Sequence, residues 1–198
     1  MIRSGLKSAF KGLLRRVSGG GAADPTPPPE DAVEASPASV EVEAENVLRW
    51  VREGALLLDV REPNELYAGH ASGALLIPMR HIQAHLAEIP RDRRLVVYCA
   101  AGARSAAVVA QLRLAGYDDV WSLDGGFGAW AGVGGATIRP PTSAAFGITS
   151  TVRVGARTGT VQGISETPEG MLYTVLLAQD GHVERMVDLP ASRLERVK

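Results

Sequence analysis

The segment Cys99-Ala100-Ala101-Gly102-Ala103-Arg104-Ser105 holds the only cysteine of the chain and, five positions further on, a guanidinium. It follows the continuous apolar run Leu95-Val96-Val97-Tyr98 and precedes Val108, Val109 and Leu112 at helical spacing, so the pattern predicts a buried strand, a tight loop and a helix start. A loop in that position can turn several backbone N–H groups toward one point. The unsatisfied amides and the positive dipole end of the following helix face the same point. Ala100, Ala101, Gly102 and Ala103 are small enough for the backbone to close without side chains filling the space. A free thiol with a pKa of ~8.5 is only about 3% ionised at neutral pH. Lowering that pKa by ~2 units takes about 2.7 kcal/mol, which a helix end and a neighbouring Arg can supply. The chemistry expected is a thiolate nucleophile in an anion cradle, fit for a small anionic sulfur donor and then a persulfide. The plainer alternative is a cysteine packed at a strand end as a small hydrophobe. The meeting of Gly102, Arg104 and a helix start on one sulfur favours the nucleophile.

A lone cysteine excludes an intrachain disulfide and a zinc knuckle. It fits a reducing compartment, so a cytoplasmic location is expected. With no second thiol to resolve it, a persulfide on Cys99 must leave to an external thiol, cyanide or a protein acceptor, by attack on the outer sulfur. That points to a sulfur shuttle and argues against a dithiol oxidoreductase. Net charge is -1, which gives no general attraction to nucleic acid or anionic membrane. No apolar run approaches the roughly 18 residues needed to cross a bilayer. Lys11, Arg15 and Arg16 interrupt the place where a signal peptide would carry its apolar stretch.

The elements that must position Cys99 lie in the middle of the chain. Residues 1–17 carry Arg3, Lys7, Lys11, Arg15 and Arg16 between apolar residues at helical spacing. They read as a basic amphipathic arm for a membrane surface, such as the inner face of a membrane, or for a protein partner, the plainer alternative being a basic arm with no such role. Residues 18–39 are rich in Gly and Pro and read as a disordered linker. Residues 40–133 alternate strand and helix: strands at Val40–Val42, Leu56–Val60, Leu75–Ile77, Leu95–Tyr98 and Val120–Leu123; helices at Ala44–Arg52, Pro63–Ala68, Arg80–Ile89, Ser105–Ala115 and Phe127–Ala131. Apolar rather than alternating strands indicate an α/β domain with a mostly parallel five-stranded sheet flanked by helices. Residues 134–150 read as a linker with Pro140 and Pro141. Residues 151–198 change to five short strands with Gly and Asp-Gly turns, a small all-β barrel.

Other candidates are weaker. His81 and His85 sit four apart on a predicted helix with only Glu88 as a neighbouring carboxylate, and read as surface histidines rather than metal ligands. Gly125-Gly126-Phe127-Gly128 follows a strand but lacks the Lys-Ser/Thr of a nucleotide loop. Trp50 and Trp121 read as aromatics at the edge of the core. No metal and no cofactor is expected. The charges of residues 151–198 are mixed, so no nucleic-acid footprint appears there and a protein partner is expected instead.

Over residues 40–133 the chain resembles the rhodanese family. Leu58-Asp59-Val60-Arg61-Glu62, Gly69-His70-Ala71-Ser72-Gly73-Ala74 through Pro78, the loop Cys99–Arg104, and Asp124-Gly125-Gly126-Phe127 with Trp130 stand in the family's order. The resemblance implies a sulfurtransferase with Cys99 as sulfur-carrying nucleophile. It implies donor and persulfide binding by Ala100, Ala101, Gly102, Ala103, Arg104 and Ser105, thiosulfate as a donor, and Asp59 and Arg61 as supports of the site. It implies His70 as a turn hydrogen-bonder and Gly125, Gly126 and Trp130 as packing residues. Many relatives place a basic or polar residue directly after the cysteine; Ala100 and Ala101 stand there instead, so Arg104 must do more of the anion binding. The phosphatases that share the fold need five residues between Cys and Arg. Here four intervene, and Ser105 takes the phosphatase Arg position. A second reading is a binding or sulfur-sensing module without turnover. The last region is loosely similar to SH3-like barrels.

Overall fold

The computed structural model describes residues 40–179 and 182–197, so the arm expected at 1–17 and the linker at 18–39 lie outside the described residues. From the start of the described chain, strand and helix alternate. Strand β1 (Glu41–Val42) leads to α1 (Ala44–Arg52), β2 (Leu56–Asp59), α2 (Pro63–Leu66), β3 (His70–Ala71) and β4 (Leu75–Leu76). A 3₁₀ segment (Met79–Glu88), β5 (Leu95–Tyr98), α3 (Ala103–Leu114), β6 (Val120–Leu123), α4 (Gly126–Gly132) and β7 (Thr137–Ile138) follow. Strands β1, β6, β5, β2 and β4 form, in that spatial order, a five-stranded sheet in which every pair is parallel.

The sheet is parallel because its strands are apolar on both faces. β5 is buried along its whole length, and β2 and β6 nearly so, which only cover on both sides permits. Alternate residues then serve opposite layers. Leu57, Val96 and Leu123 face one buried cluster; Leu58, Val97 and Cys99 face another, which holds Val108, Val109 and Leu112 of α3. Cys99 therefore emerges on the α3 side of the sheet.

The remaining strands, β8 (Thr151–Val154), β9 (Arg157–Thr167), β10 (Gly170–Gln179), β11 (His182–Pro190) and β12 (Glu195–Arg196), form an antiparallel sheet in the order β11-β10-β9-β8-β12. It packs on the first. Val152, Val161, Tyr173 and Val175 share one buried cluster with Leu57, Leu76, Val96 and Tyr98. At the free edge of β4 the Gln162 amide accepts from Leu76 N–H at 2.6 Å and donates to the Leu76 carbonyl at 3.1 Å. Gln162 thus takes the hydrogen bonds a sixth strand would take. Without it two buried backbone groups would be unpaired, at about 1–3 kcal/mol each.

Three expectations need correction. The helix expected over Arg80–Ile89 is a 3₁₀ segment with a break at His85 (φ −112°, ψ 15°). Its only buried side chain is Ile82, so no broad apolar stripe holds an α-helix; the three-residue spacing instead aligns Met79, Ile82, His85 and Glu88, and His85 Nδ1 lies 2.6 Å from Glu88 Oε1. The helix expected to begin at Ser105 begins at Ala103, which moves Ala103 and Arg104 from the loop into the first helical turn. Within residues 134–150, Thr137–Ile138 pair antiparallel with His70–Ala71, a ladder too short to show any periodicity.

Candidate active site

Cys99 follows β5 directly, and the chain turns at Gly102 into α3. Gly102 has φ +107°, a conformation open to glycine and strained for other residues. This turn directs the Gly102 N–H at Cys99 Sγ, 3.2 Å away. The amides of Ser105 and Ala101 also act on the charge of this sulfur, and the Ser105 hydroxyl lies 3.8 Å from it. Burial alone pushes the thiol up; the amides of Ser105, Ala101 and Gly102 together with the Ser105 hydroxyl outweigh it and hold Cys99 below its ordinary value. The first turn of α3 adds its dipole in the same sense. Ala100, Ala101 and Ala103 are exposed, Gly102 and Ser105 are buried, and Cys99 itself is 2% exposed. The sulfur lies at the floor of a cradle with a rim of alanine methyls.

Helix α4 supports the loop from behind. Phe127 N–H donates to the Cys99 carbonyl at 2.8 Å. Gly126 (φ +58°) permits this approach: a Cβ there would lie 2.4 Å from the Cys99 carbonyl oxygen and 2.7 Å from Ala100 backbone atoms. Gly126, one of the glycines read as packing, therefore presses against the Cys99 loop.

Arg104 does not stand free at the mouth. Its guanidinium donates to both oxygens of Glu65, at 2.7 and 2.8 Å. Arg104 holds the Glu65 carboxyl below the usual carboxylate range, and Glu65 in turn raises Arg104, which also feels the Cys99 sulfur. Glu65 was missed in the sequence reading. The signal available was local: Glu62-Pro63-Asn64-Glu65 forms a reciprocal capping box in which Glu65 accepts from the Glu62 N–H at 3.0 Å. That box fixes the carboxylate where Arg104 arrives from 39 positions away.

Asp59 and Arg61, expected as supports, are buried together at 1% and 4% exposure. Arg61 Nε donates to Asp59 at 3.0 and 3.1 Å, its Nη2 at 2.7 Å, and Nη2 also donates to the Gly69 carbonyl at 2.9 Å. Burial works against the Arg61 cation, but the Asp59 carboxylate overcomes it and keeps Arg61 charged. The guanidinium lies 4.3 Å from the Phe127 ring centroid, which connects the pair to α4 and so to the loop. A third pair, Arg80 with Glu62, joins the 3₁₀ segment to the start of α2. Arg61, Arg104 and Arg80 thus each have a carboxylate partner.

Among the described residues no histidine makes a hydrogen bond to the Cys99 sulfur. His70 is 2% exposed; since a carbonyl can only accept, its Nδ1 donates to Ala71 O at 3.1 Å, and burial lowers its pKa. His81 and His85, with ring centroids 6.1 Å apart, line a cavity of about 230 Å³ with Glu88, Thr149 and Gln162, which no residue of Cys99–Ser105 borders. Among the described residues no three His, Cys, Asp or Glu side chains converge as a metal site. Among them, too, no helix is long and apolar enough to cross a membrane.

The rhodanese-like domain family matches residues 43–132. Over 88 residues, 44% of this chain and 82% of the relative, the chain is 43% identical to a sulfurtransferase of Allochromatium vinosum. It is 39% identical over 106 residues, 52% of this chain, to a probable adenylyltransferase/sulfurtransferase, MoeZ, of Mycobacterium tuberculosis; that match spans 27% of the relative. The chain belongs to the rhodanese-like family, and the relatives it matches include named sulfurtransferases. A crystal structure of a rhodanese-related protein from Thermoplasma volcanium aligns over 50% of this chain and 96% of that one, at 30% identity and a TM-score of 0.46.

Proposed function

We propose that this protein transfers sulfane sulfur as a persulfide on Cys99. The observation that carries the reading is the Gly102 N–H directed at the buried Cys99 sulfur at 3.2 Å with the Ser105 hydroxyl 3.8 Å away, in a loop that holds the thiol below its ordinary pKa. The Cys99 thiolate attacks the outer sulfur of a donor such as thiosulfate. A Cys99 Sγ–S bond forms, the donor S–S bond breaks, and sulfite leaves with the bonding electron pair. The amides then hold the terminal sulfur anion. An acceptor thiolate, cyanide or a protein thiol attacks that outer sulfur, and Cys99 departs as thiolate. The outer atom stands about 2 Å beyond Sγ, so the acceptor meets sulfur nearer the alanine rim than the buried Cys99 itself.

Two features favour slow loading by thiosulfate. The Arg104 guanidinium beside the loop is paired with Glu65, and Cys99 is 2% exposed. They support a second reading, a binding or sulfur-sensing module without turnover. Intact-mass spectrometry after thiosulfate treatment separates the two. Sulfur transfer gives one added sulfur, absent in Cys99→Ser and removed by cyanide. A bare thiol with every sulfur donor tried removes the transferase reading. Contact of residues 1–17 with a membrane surface or a protein, and a protein partner for residues 151–198, belong to the same proposal; liposome flotation with and without residues 1–17 tests the first, and equal recovery of both forms removes it.

A further inference from the structure

Two hydroxyls stand behind Cys99, and only one of them lies in the loop. Ser105, in the first turn of α3, and Ser122, on β6, are both 0% exposed. Ser122 Oγ donates to Ser105 Oγ at 2.9 Å. Ser105 Oγ donates to the Gly102 carbonyl at 2.7 Å and lies 3.8 Å from Cys99 Sγ. Two apolar side chains of the same size would fill this space without burying polar atoms. The pair therefore adds nothing to the core that alanines would not.

The hydrogen count gives it a use. Ser105 has one hydroxyl proton and two acceptors within reach, the Gly102 carbonyl and the Cys99 sulfur. As negative charge grows on the sulfur, that proton can turn from the carbonyl toward Sγ. The proton from Ser122 occupies a lone pair of Ser105, fixes its hydroxyl between the two acceptors and polarises it, since chained hydrogen bonds strengthen one another. We infer that Ser122 is a positioning residue for the Cys99 sulfur, acting through the Ser105 hydroxyl to favour the anionic sulfur, thiolate first and persulfide after loading. The persulfide half rests on the sulfur-transfer reading; the thiolate half does not.

A double-mutant cycle on the full chain tests this. The ultraviolet absorbance of the thiolate, taken through a pH titration as the difference from the Cys99→Ser protein, reports Cys99, because the chain has one cysteine and the four tyrosines cancel in the difference. Ser105→Ala is expected to raise the midpoint by roughly 0.7 unit, the equivalent of one ordinary hydrogen bond. Ser122→Ala raises it by about 0.3 unit, the part of that bond due to fixing and polarising the hydroxyl. In the Ser105→Ala background Ser122→Ala adds nothing, and Ser122→Thr, which keeps a hydroxyl, leaves the midpoint at the native value. Equal shifts from Ser122→Ala in both backgrounds, no shift at all, or a Ser122→Thr shift as large as that of Ser122→Ala would each overturn the proposal. Thiosulfate loading measured on the same proteins keeps the two readings apart. A coupled cycle without any loading sinks sulfur transfer and leaves Ser122 in place; loading with uncoupled shifts sinks only Ser122.

Discussion

Replacing Glu65 by Gln isolates the charge of Arg104. In the native protein two hydrogen bonds of 2.7 and 2.8 Å tie the guanidinium to a carboxylate, which cancels its charge where an anionic donor approaches. Glu65→Gln keeps an acceptor for the Glu62 N–H and for one Arg104 N–H but leaves the cation uncompensated. The two side chains are 34% and 29% exposed, so a water-like dielectric applies. One positive charge ~6 Å from a dianion is then worth about 1.4 kcal/mol, or roughly tenfold in binding. The assay is the rate of persulfide formation on Cys99 against thiosulfate concentration, read by quenched intact-mass spectrometry. Loading is expected to rise about tenfold at low salt, to lose most of that gain near 1 M salt, and to show no gain when Arg104→Gln is added. The lost ion pair costs about 1 kcal/mol or less because it is partly exposed, so the melting curve shifts little. If a folded Glu65→Gln protein loads thiosulfate no faster than the native one at low salt, Arg104 does not act on the anion and the assignment fails.

Further outcomes follow from the same geometry. Gly126→Ala places a Cβ against the Cys99 carbonyl in a left-handed conformation, and urea unfolding should show a loss of about 3 kcal/mol. Asp59→Ala strands the buried Arg61 cation and should cost about 3–5 kcal/mol in the same experiment, with sulfur loading per folded molecule largely kept because neither residue touches the sulfur. The rate of Cys99 alkylation by iodoacetamide should rise with pH and level off below the pH at which an unfolded thiol does so, since the folded pKa is depressed. By the same linkage the cradle stabilises the fold fully above the unfolded thiol pKa and loses that contribution as pH falls through the folded pKa; Cys99→Ser should lack this slope in pH-dependent melts.

What the sequence disclosed was local. The apolar run Leu95–Tyr98 allows only a buried strand, and the small residues from Ala100 to Ala103 before a helical pattern allow only a tight loop, so the sulfur could be placed with its amides. The helices α1 and α3 were readable from their spacing. Hidden from such reading were the partners that meet across the fold. Glu65 lies 39 positions from Arg104, Ser122 lies 17 from Ser105, and Gln162 lies 86 from Leu76; each is an ordinary polar residue until the sheet brings its partner near. For this reason the sequence reads Arg104 as an anion-binding cation and does not show its carboxylate partner. The 3₁₀ segment escaped because three- and four-residue spacings coincide over so few apolar positions as Met79, Ile82 and Leu86.

The Gln162 clasp on β4 bears on how this molecule tolerates dissection. A fragment ending before residue 150 would keep Cys99 with Glu65, Arg104, Ser105 and Ser122, yet would lay bare the donor and acceptor of Leu76 on an apolar margin. Such a margin recruits any extended peptide within reach, including its own copies. The chain beyond the sulfur site thus acts as a selvedge, and a minimal sulfur carrier cut from this protein would need a substitute for one amide before it could remain solitary.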